Sequence, residues 1–352
     1  LVAAARQGDW TRLPEMLAYI TSAERDEIFA TALVRLVRGC EDERKWPALL
    51  KALKDASPLV RASAAEGLDG YLMAESVAAL LGATGDEYRL VRVRAAAVLA
   101  ALSAGDLPDK PRQDLERATN ELLALSRARP DDSASHHNLG NFYMARREYD
   151  RAIACYERAF LLQPDNVSPL VNASLVHNAA GRNDPAEECL RRALKVEPAN
   201  AAANLNLGML LAEMGKMSEA EQAFRAAFKA DPQSSQAAYN LGIVLAAERP
   251  DEALDWCRKA AQLRPQEPKY AYTLAFYLRQ RGDVDGAITA LRGVTDQDGA
   301  YPDAYALLGQ VYEEQQRTSD AVELYRRAAQ NAKLPEAVRM RFAARAETLK
   351  SP

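Results

Sequence analysis

Several features that define common protein classes are missing from this chain of 352 residues. No run of 18 apolar residues occurs, so the sequence predicts no membrane-spanning helix. The four cysteines, at positions 40, 155, 189 and 257, stand singly, without a CxxC pair or the spacing of a metal site. Charged residues are 27% and the formal net charge is −4, which removes the electrostatic case for nucleic-acid binding. Strand signals are also absent, so the sequence predicts an all-α fold.

Motifs of catalytic chemistry are missing as well. The chain has no nucleophile elbow, glycine-rich phosphate loop, HExxH or CxxCH. Two of the three histidines, His136 and His177, are expected to pack between helices, and His137 to face a groove. The sequence therefore predicts no catalytic residue, no metal site and no cofactor within these residues.

An internal repeat occupies the larger part of the chain. Residues 133–166 contain Leu139 and Gly140, then Tyr143, Ala152, Tyr156, Ala159 and Pro164. The same pattern begins again at positions 167, 201, 235, 268 and 302, so the spacing is 34, 34, 34, 33 and 34 residues. The copy that starts at 235 is one residue short in its inter-helix turn, where Pro250 stands. A fixed period of this length predicts an α-solenoid of stacked helix pairs.

The repeated pattern resembles the tetratricopeptide (TPR) family, whose 34-residue unit is a pair of helices. The resemblance covers residues 133–334 as six repeats. Gly140 and Ala152 are small where the two helices cross, Tyr143 and Tyr156 fill the space between them, and Pro164 ends the second helix.

Residues 1–105 follow another helical repeat. VRASAAEGL, from Val60, aligns with VRVRAAAVL, from Val91, and IFATALVRL, from Ile28, aligns more weakly. The V-R-x-x-A-A-x-x-L pattern resembles the second helix of HEAT repeats. The opening LVAAARQGD looks like the tail of a further copy. Because the chain does not begin with Met, we expect residues to precede Leu1 in the natural protein.

Two segments flank the tetratricopeptide-like repeats. Residues 106–132 comprise a proline-rich joint and a half-repeat helix, predicted over 113–129. Residues 335–352 predict a C-terminal capping helix that solvates the last repeat.

A row of asparagines recurs at position 6 of the repeats. In TPR solenoids the first helix of each unit lines the concave surface, and the resemblance implies that Asn138, Asn172, Asn206 and Asn240 point into that groove. A primary amide offers both a donor and an acceptor, so such a ladder could hold the backbone of an extended peptide. The ladder resembles that of the O-GlcNAc transferase superhelix. The alternative is that asparagine belongs to the family consensus and serves the fold.

The ladder has mostly apolar neighbours at positions 5 and 9. Repeats two to five are predicted to present an apolar stripe to solvent, which usually marks a partner site. The alternative is that the stripe packs on an upstream domain or in self-association. The residues at these two positions in the first five repeats are His137, Asn141, Val171, Leu175, Leu205, Met209, Tyr239, Ile243, Tyr272 and Phe276.

One known mode of TPR recognition does not fit the sequence. Heat-shock co-chaperones hold a C-terminal carboxylate with lysines and arginines at positions 2, 5 and 6. Here those positions are held by Ala202, His137 and Asn206, so the charges of that clamp are missing.

The order of HEAT-like units, joint and TPR units resembles the C-terminal half of certain bacterial multihaem c-type cytochromes. That resemblance implies an exported, periplasmic or extracellular protein, with haem c on a region before Leu1; otherwise the chain would be cytoplasmic. Three hypotheses follow. The first is a non-enzymatic scaffold that binds a protein or peptide in the TPR groove. The second is the docking region of such a cytochrome, and the third is the TPR half of a glycosyltransferase-like enzyme. CxxCH motifs or a signal peptide upstream of Leu1 would distinguish them.

Overall fold

The structure is a computed structural model, and it describes residues 1–22, 24–105, 107–296 and 299–350. These residues form 21 α-helices and one short 3-10 helix and contain no strand, which confirms the predicted all-α repeat solenoid. The chain divides into two compact units, Leu1–Ala180 and Gly181–Pro352. This division falls between the two helices of the second predicted repeat. The partition of the chain by repeat type stays a prediction.

The first unit contains eleven α-helices within its described residues, joined by short turns. They are α1 (Val2–Arg6), α2 (Leu13–Thr21), α3 (Glu27–Val37), α4 (Lys45–Ala52), α5 (Pro58–Gly67), α6 (Ala74–Ala83), α7 (Arg89–Val98), α8 (Asp109–Arg127), α9 (Ser133–Ala145), α10 (Tyr149–Leu162) and α11 (Ser168–Ala179), with the 3-10 helix Trp10–Arg12 before α2.

Among helices α1–α8 of the first unit, one layer carries most of the buried apolar residues that lie on helices. Helices α1, α3, α5, α7 and α8 pack against one another in that order. Helix α2 packs on α4, α4 packs on α5, and α6 packs on α7. Small and β-branched side chains fill the layer, and Val60, Ala64, Val91 and Ala95 are fully buried. Alanine at the crossings lets short helices approach closely, which is how this layer forms a core without buried aromatic residues.

The arginines of the two V-R motifs hold successive turns together. Arg61 donates from Nη1 to the carbonyl oxygens of Asp55 (2.8 Å) and Ala56 (3.0 Å), and from Nε to Asp86 (2.8 Å). Arg92 repeats the arrangement one unit later: Nη1 donates to the carbonyl oxygens of Asp86 and Glu87 (both 2.9 Å), and Nη2 to Glu121 (2.7 Å). Each guanidinium therefore joins its own inter-helix turn to a carboxylate of the next helix pair or of α8.

The proline-rich joint is shorter than the sequence predicted. Helix α8 begins at Asp109, four residues before the predicted start at 113. Pro111 lies in its first turn, where an N–H would have no intrahelical acceptor, so proline costs the helix little there. Asp106 of the joint, like residues 351 and 352 of the predicted cap, lies outside the described residues.

The second unit continues with paired helices. They are α12 (Asn183–Val196), α13 (Ala201–Glu213), α14 (Met217–Ala230), α15 (Ser235–Leu245), α16 (Pro250–Leu263), α17 (Pro268–Gln280), α18 (Val284–Thr295), α19 (Pro302–Glu314), α20 (Thr318–Gln330) and α21 (Glu336–Thr348). Helix α21 is the predicted capping helix. It buries Phe342 against the last repeat, and Arg345 at its exposed side pairs with Glu313.

Glycine at position 8 is required wherever position 24 is a large ring. A Cβ built on Gly140, Gly208 or Gly309 would lie 2.5, 2.5 and 2.2 Å from a ring carbon of the facing aromatic residue, which is Tyr156, Phe224 and Tyr325 respectively. The fifth repeat has Leu291 in place of the ring, and there alanine (Ala275) replaces glycine, with both residues buried. The two helices therefore lie so close at this crossing that it has room for a Cβ at position 8 or for an aromatic ring at position 24, but not for both.

The inter-helix turns share one left-handed residue at position 15. Gly181, Gly215 and Gly282 hold it with φ of 72°, 76° and 80°, and Arg147 and Gln316 hold it with φ of 59° and 56°. Glycine takes this conformation without a steric cost, whereas the other two residues are strained. In the fourth repeat α15 ends at Leu245 and α16 starts at Pro250, so the predicted one-residue deletion shortens this turn.

Candidate functional site

The predicted ligand-binding residues of the first unit form a hydrogen-bonded cluster. Asn172 of α11 donates from Nδ2 to His137 Nε2 (3.1 Å) and to Asn141 Oδ1 (3.2 Å), both on α9. Tyr156 of α10 donates its hydroxyl to the same oxygen of Asn141 (2.7 Å). The amide nitrogen of Asn172 is therefore used within the protein, whereas Asn138 is exposed.

His137 is neutral in this cluster because Nε2 accepts the amide hydrogen of Asn172, which places the ring proton on Nδ1. Its ring edge faces Tyr156, with centroids 5.6 Å apart. Burial among these neutral groups lowers the pKa of His137 below its ordinary value of 6.5. Burial also raises the pKa of Tyr156. If His137 were protonated, its Nε2–H and the Nδ2–H of Asn172 would both be donors and could not bond to each other. The hydrogen bond between them therefore requires the neutral imidazole.

The apolar stripe predicted for repeat two is present at only one of its two positions. Val171 is buried, with 8% of its surface exposed, whereas Leu175 is exposed. Val171 therefore belongs to the core of the first unit and does not face solvent. The prediction was wrong for this residue because position 5 of α11 is covered by its neighbours.

In the second unit the two ladder asparagines are half-buried. Asn206 lies on α13 and Asn240 on α15. The Nδ2 atom of Asn240 is buried and has no hydrogen-bond partner among the residues that the structure describes. Whether these amides bind a ligand stays a prediction.

Large apolar side chains lie at positions 5 and 9 on the first helices of the second unit. Ile243 is 41% and Phe276 is 38% exposed. Leu205, Met209, Tyr239 and Tyr272 are half-buried. We call Met209, Tyr239, Ile243, Tyr272 and Phe276 the tyrosine face. It extends from α13 through α15 to α17.

Contacts between neighbouring repeats join the parts of the tyrosine face. Gln236, at position 2 of α15, donates to Met209 Sδ on α13 (3.5 Å). Tyr239 of α15 lies 5.0 Å from the ring of Tyr270 on α17, and Tyr272 lies 5.7 Å from the ring of Tyr301, which precedes α19. Residues of the tyrosine face therefore contact the next repeat along the chain at each of three successive first helices.

Two neighbours of this face were missed by the sequence analysis. Lys269 holds Nζ 5.2 Å from the ring centre of Tyr239 and 5.3 Å from that of Tyr270. Burial raises the pKa of Tyr301, and Asp303 and the nearby hydroxyls of Tyr272 and Tyr239 raise it further. Lys269 stands at position 2 of its repeat, so that position could have identified it. Tyr301 precedes its repeat, and no signal in the sequence marks it.

Many charged side chains on the second helices of this unit form ion pairs with one another. Glu187 binds Arg191 of its own helix (2.7 Å) and Lys216 of the next turn (2.8 Å), and Arg191 also reaches Glu219 (2.8 Å). Arg225 pairs similarly with Glu221 of its own helix (2.8 Å) and with Glu252 of the next repeat. Across the described ranges, no group of three or more His, Cys, Asp or Glu side chains is arranged to hold a metal ion. No described helix combines the length and the apolar character that crossing a membrane needs.

Comparison with known proteins identifies the repeats. Residues 207–268 and 272–337 match the tetratricopeptide-repeat model, and residues 115–229 match the model of the middle TPR-like domain of cilia and flagella-associated protein 70. The chain therefore contains tetratricopeptide repeats, as the sequence predicted. A comparison with curated proteins finds no match.

Several solved structures are similar to parts of the chain. PilF of Pseudomonas aeruginosa is 20% identical, with a TM-score of 0.49, over 62% of this chain and 99% of that one. YrrB, described as a TPR protein with an unusual peptide-binding site, is 21% identical, with a TM-score of 0.44, over 54% and 97%. MamA is 18% identical, with a TM-score of 0.40, over 52% and 97%. The resemblances to HEAT proteins, multihaem cytochromes and a glycosyltransferase stay predictions.

Proposed function

We propose that this chain is a protein-interaction scaffold without catalytic activity of its own, and that the tyrosine face binds a segment of a partner protein. The observation that carries the proposal is the exposure of large apolar side chains in a row on successive helices, with Ile243 and Phe276 at its exposed centre. A contiguous apolar patch costs solubility unless a partner covers it, so such patches commonly mark interaction sites.

The amides beside the face favour a segment bound through its backbone. Asn206 and Asn240 occupy position 6 on α13 and α15, next to the residues of the tyrosine face at positions 5 and 9. Amide groups can hydrogen-bond the N–H and C=O groups of an extended chain regardless of its side chains. The apolar side chains would then supply affinity, and the amides would fix the position of the backbone.

The test is selection of binding peptides from a displayed random library, followed by fluorescence titration of the selected peptides. Ile243→Asp places a charge in the middle of the face and is expected to weaken binding at least tenfold. Asn206→Ala with Asn240→Ala is expected to weaken binding by about 0.5–1.5 kcal/mol for each lost backbone hydrogen bond.

Met217→Asp is the matched control, because Met217 is 51% exposed on α14, a second helix. It is expected to leave peptide binding unchanged. A library that yields no binder, or binders that respond equally to both aspartate variants, would contradict the proposal.

We further propose that α1–α7 are HEAT-like repeats. The support is the recurrence of the same arginine contacts in two successive helix pairs, each made by the second residue of the V-R motif. Arg61→Met is expected to lower the free energy of unfolding by about 3 kcal/mol or more, because Asp86 and two carbonyl groups lose their donor in a half-buried site.

Arg94→Met is the matched control, since Arg94 lies on α7 and makes one ion pair of 3.6 Å with Glu66 at a side chain that is 41% exposed. It is expected to cost less than about 1 kcal/mol. Urea unfolding followed by circular dichroism measures both. Equal effects of the two variants would remove the proposed role of the repeated arginine.

A further inference from the structure

Hydrogen bonds join four side chains of α9, α10 and α11, and we call these residues, His137, Asn141, Tyr156 and Asn172, the His137 cluster. Asn141 Oδ1 accepts two hydrogen bonds, from the hydroxyl of Tyr156 (2.7 Å) and from Nδ2 of Asn172 (3.2 Å). The same nitrogen of Asn172 also donates to His137 Nε2 (3.1 Å). Both lone pairs of one amide oxygen and both hydrogens of the other amide nitrogen are therefore used, which fixes the orientation of the two amides.

The opposite end of each amide is unused. Asn172 Oδ1 accepts no hydrogen bond from the residues that the structure describes, and it is not a buried unsatisfied atom, so solvent reaches it. Asn141 is an exposed residue, and its Nδ2 donates to none of the described groups. With His137 neutral, the cluster therefore offers a ligand an acceptor on Asn172 and a donor on Asn141.

The same side chains can form the cluster with the hydrogen bonds between them reversed. A half-turn of each amide about χ2 exchanges its oxygen with its nitrogen, and the two groups are similar in size. His137 Nε2 then donates to Asn172 Oδ1. Asn141 Nδ2 donates one hydrogen to that oxygen and the other to the hydroxyl oxygen of Tyr156. The three hydrogen bonds of the observed arrangement are thus replaced by three others.

The hydroxyl of Tyr156 favours the observed arrangement while His137 is neutral. Tyr156 is fully buried, and its hydroxyl donates to an amide oxygen at 2.7 Å. In the reversed arrangement the remaining acceptor for this hydrogen is Met144 Sδ, which is 3.9 Å away and weak. A buried donor without a good acceptor costs free energy. Protonation changes the balance, because Nε2 then carries a hydrogen and its charge-assisted bond to an amide oxygen is stronger than a neutral one.

The helices that carry His137 and Asn172 have no charged side chain, since α9 and α11 contain no Asp, Glu, Lys or Arg. Their other titratable residues are His136, Tyr143 and His177. The charged residues of α10 and of the C-terminal half of α8, the helices packed against α9, are Glu121, Arg127, Asp150, Arg151, Glu157 and Arg158. Burial, rather than any of these charges, lowers the pKa of His137. A protonated His137 therefore depends on the cluster itself for an acceptor at Nε2.

We propose that protonation of His137 reverses the hydrogen bonds of the His137 cluster, so that Asn172 changes from offering an acceptor to offering a donor. Asn141 changes in the opposite direction. This surface of the first unit then accepts a hydrogen bond from a ligand at Asn172 when His137 is neutral, and donates one there when His137 is charged. The device is independent of the tyrosine face, so it stands or falls apart from the proposed function.

NMR spectroscopy of the full chain, labelled with ¹⁵N, tests the reversal. The amides of Asn141 and Asn172 are assigned from the signals lost in Asn141→Asp and Asn172→Asp. At neutral pH we expect Nε2 of His137 to be unprotonated and to show a scalar coupling, across the hydrogen bond, to the amide nitrogen of Asn172. The amide hydrogens of Asn172 should exchange with solvent more slowly than those of Asn141. As pH falls through the pKa of His137, the coupling should disappear and the order of the two exchange rates should invert.

Tyr156→Phe tests the part played by the hydroxyl, because it keeps the buried ring. It is expected to raise the pKa of His137 and to reduce the difference between the two exchange rates at neutral pH. Tyr143→Phe is the matched control, since Tyr143 is also buried and its hydroxyl makes no hydrogen bond to the cluster. It should leave both quantities unchanged.

Four results would overturn the proposal. One is a proton on Nε2 of His137 at neutral pH, and another is an Asn172 amide that remains the slower to exchange once His137 is charged. Fast exchange of both amides at acid pH would mean that the cluster opens instead of reversing. A pKa of His137 that is the same in Tyr156→Phe as in the parent chain would remove the role of the hydroxyl and, with it, the reason for the switch.

Discussion

The contact between Gly208 and Phe224 gives a sharp test of the helix packing. A Cβ on Gly208 would lie 2.5 Å from Cδ1 and 2.6 Å from Cε1 of Phe224. Phe224 is 1% exposed and packs between α13 and α14, so its ring has little room to move. The substitution G208A adds one methyl group and changes nothing else.

The expected cost follows from two opposing effects. Overpacking a well-filled core costs about 1–3 kcal/mol. Alanine in place of glycine inside a helix returns about 0.5–1 kcal/mol, because the unfolded chain loses less conformational freedom. The clash is the larger effect, so G208A is expected to lower the free energy of unfolding by about 1–2 kcal/mol.

A second substitution shows whether the ring is the cause. In the fifth repeat, position 8 is Ala275 and position 24 is Leu291, and both residues are buried. We therefore expect F224L to remove most of the penalty of G208A, so that the double variant is more stable than the sum of the single effects predicts. The coupling free energy should be about 1 kcal/mol or more, as for residues in direct contact.

Urea unfolding followed by circular dichroism measures the cycle. The matched control is G293A, because Gly293 is a helical glycine of α18 with no atom within 4 Å of the built Cβ. G293A is expected to stabilise the protein by about 0.5–1 kcal/mol. The reasoning is refuted if G208A is neutral, or if its cost is the same in the F224L background.

Three further predictions concern stability. Lys45→Met is expected to cost about 1–3 kcal/mol, because Lys45, which is 6% exposed, donates to the carbonyl oxygens of Arg38 and Cys40 after α3. Gln316→Gly should stabilise the protein by up to about 1 kcal/mol by relieving the left-handed backbone. His137 has a lowered pKa in the folded state, so the unfolded state binds more protons; its stabilising contribution is complete above pH 6.5 and is lost as pH falls through the folded pKa. His137→Gln should therefore flatten the fall in stability below pH 6.5, as shown by urea unfolding across pH.

Each of these three has a contradicting result. A neutral Lys45→Met would mean that water satisfies the two carbonyl groups. A destabilising Gln316→Gly would mean that the Gln316 side chain contributes more than the strain costs. An unchanged pH profile in His137→Gln, or a His137 ring that titrates above its ordinary value by NMR, would contradict the neutral imidazole.

The helix pairs of residues 133–334 could be predicted because their determinants are local or recur at a fixed interval. Gly140 and Gly208 are needed where a ring crosses, and the missing residue before Pro250 shortens a turn whose conformation is set nearby. The start of α8 was predicted too late because two prolines, Pro108 and Pro111, were taken as a break, although Pro111 lies in a first turn that tolerates it.

Which groups the candidate site residues contact, and how far each is buried, was decided only by the tertiary structure. Asn172 was predicted to face a ligand, yet its amide nitrogen donates to His137, 35 residues earlier in the chain. Val171 was predicted to face solvent and is buried, and Tyr272 packs against Tyr301, which lies outside the repeat positions that face the groove. Periodicity determines which face of a helix a residue occupies, since that depends on the residue's own position in the helix. What a side chain on that face contacts depends on the neighbouring helices, because hydrogen bonds and burial are made between groups that are distant in sequence.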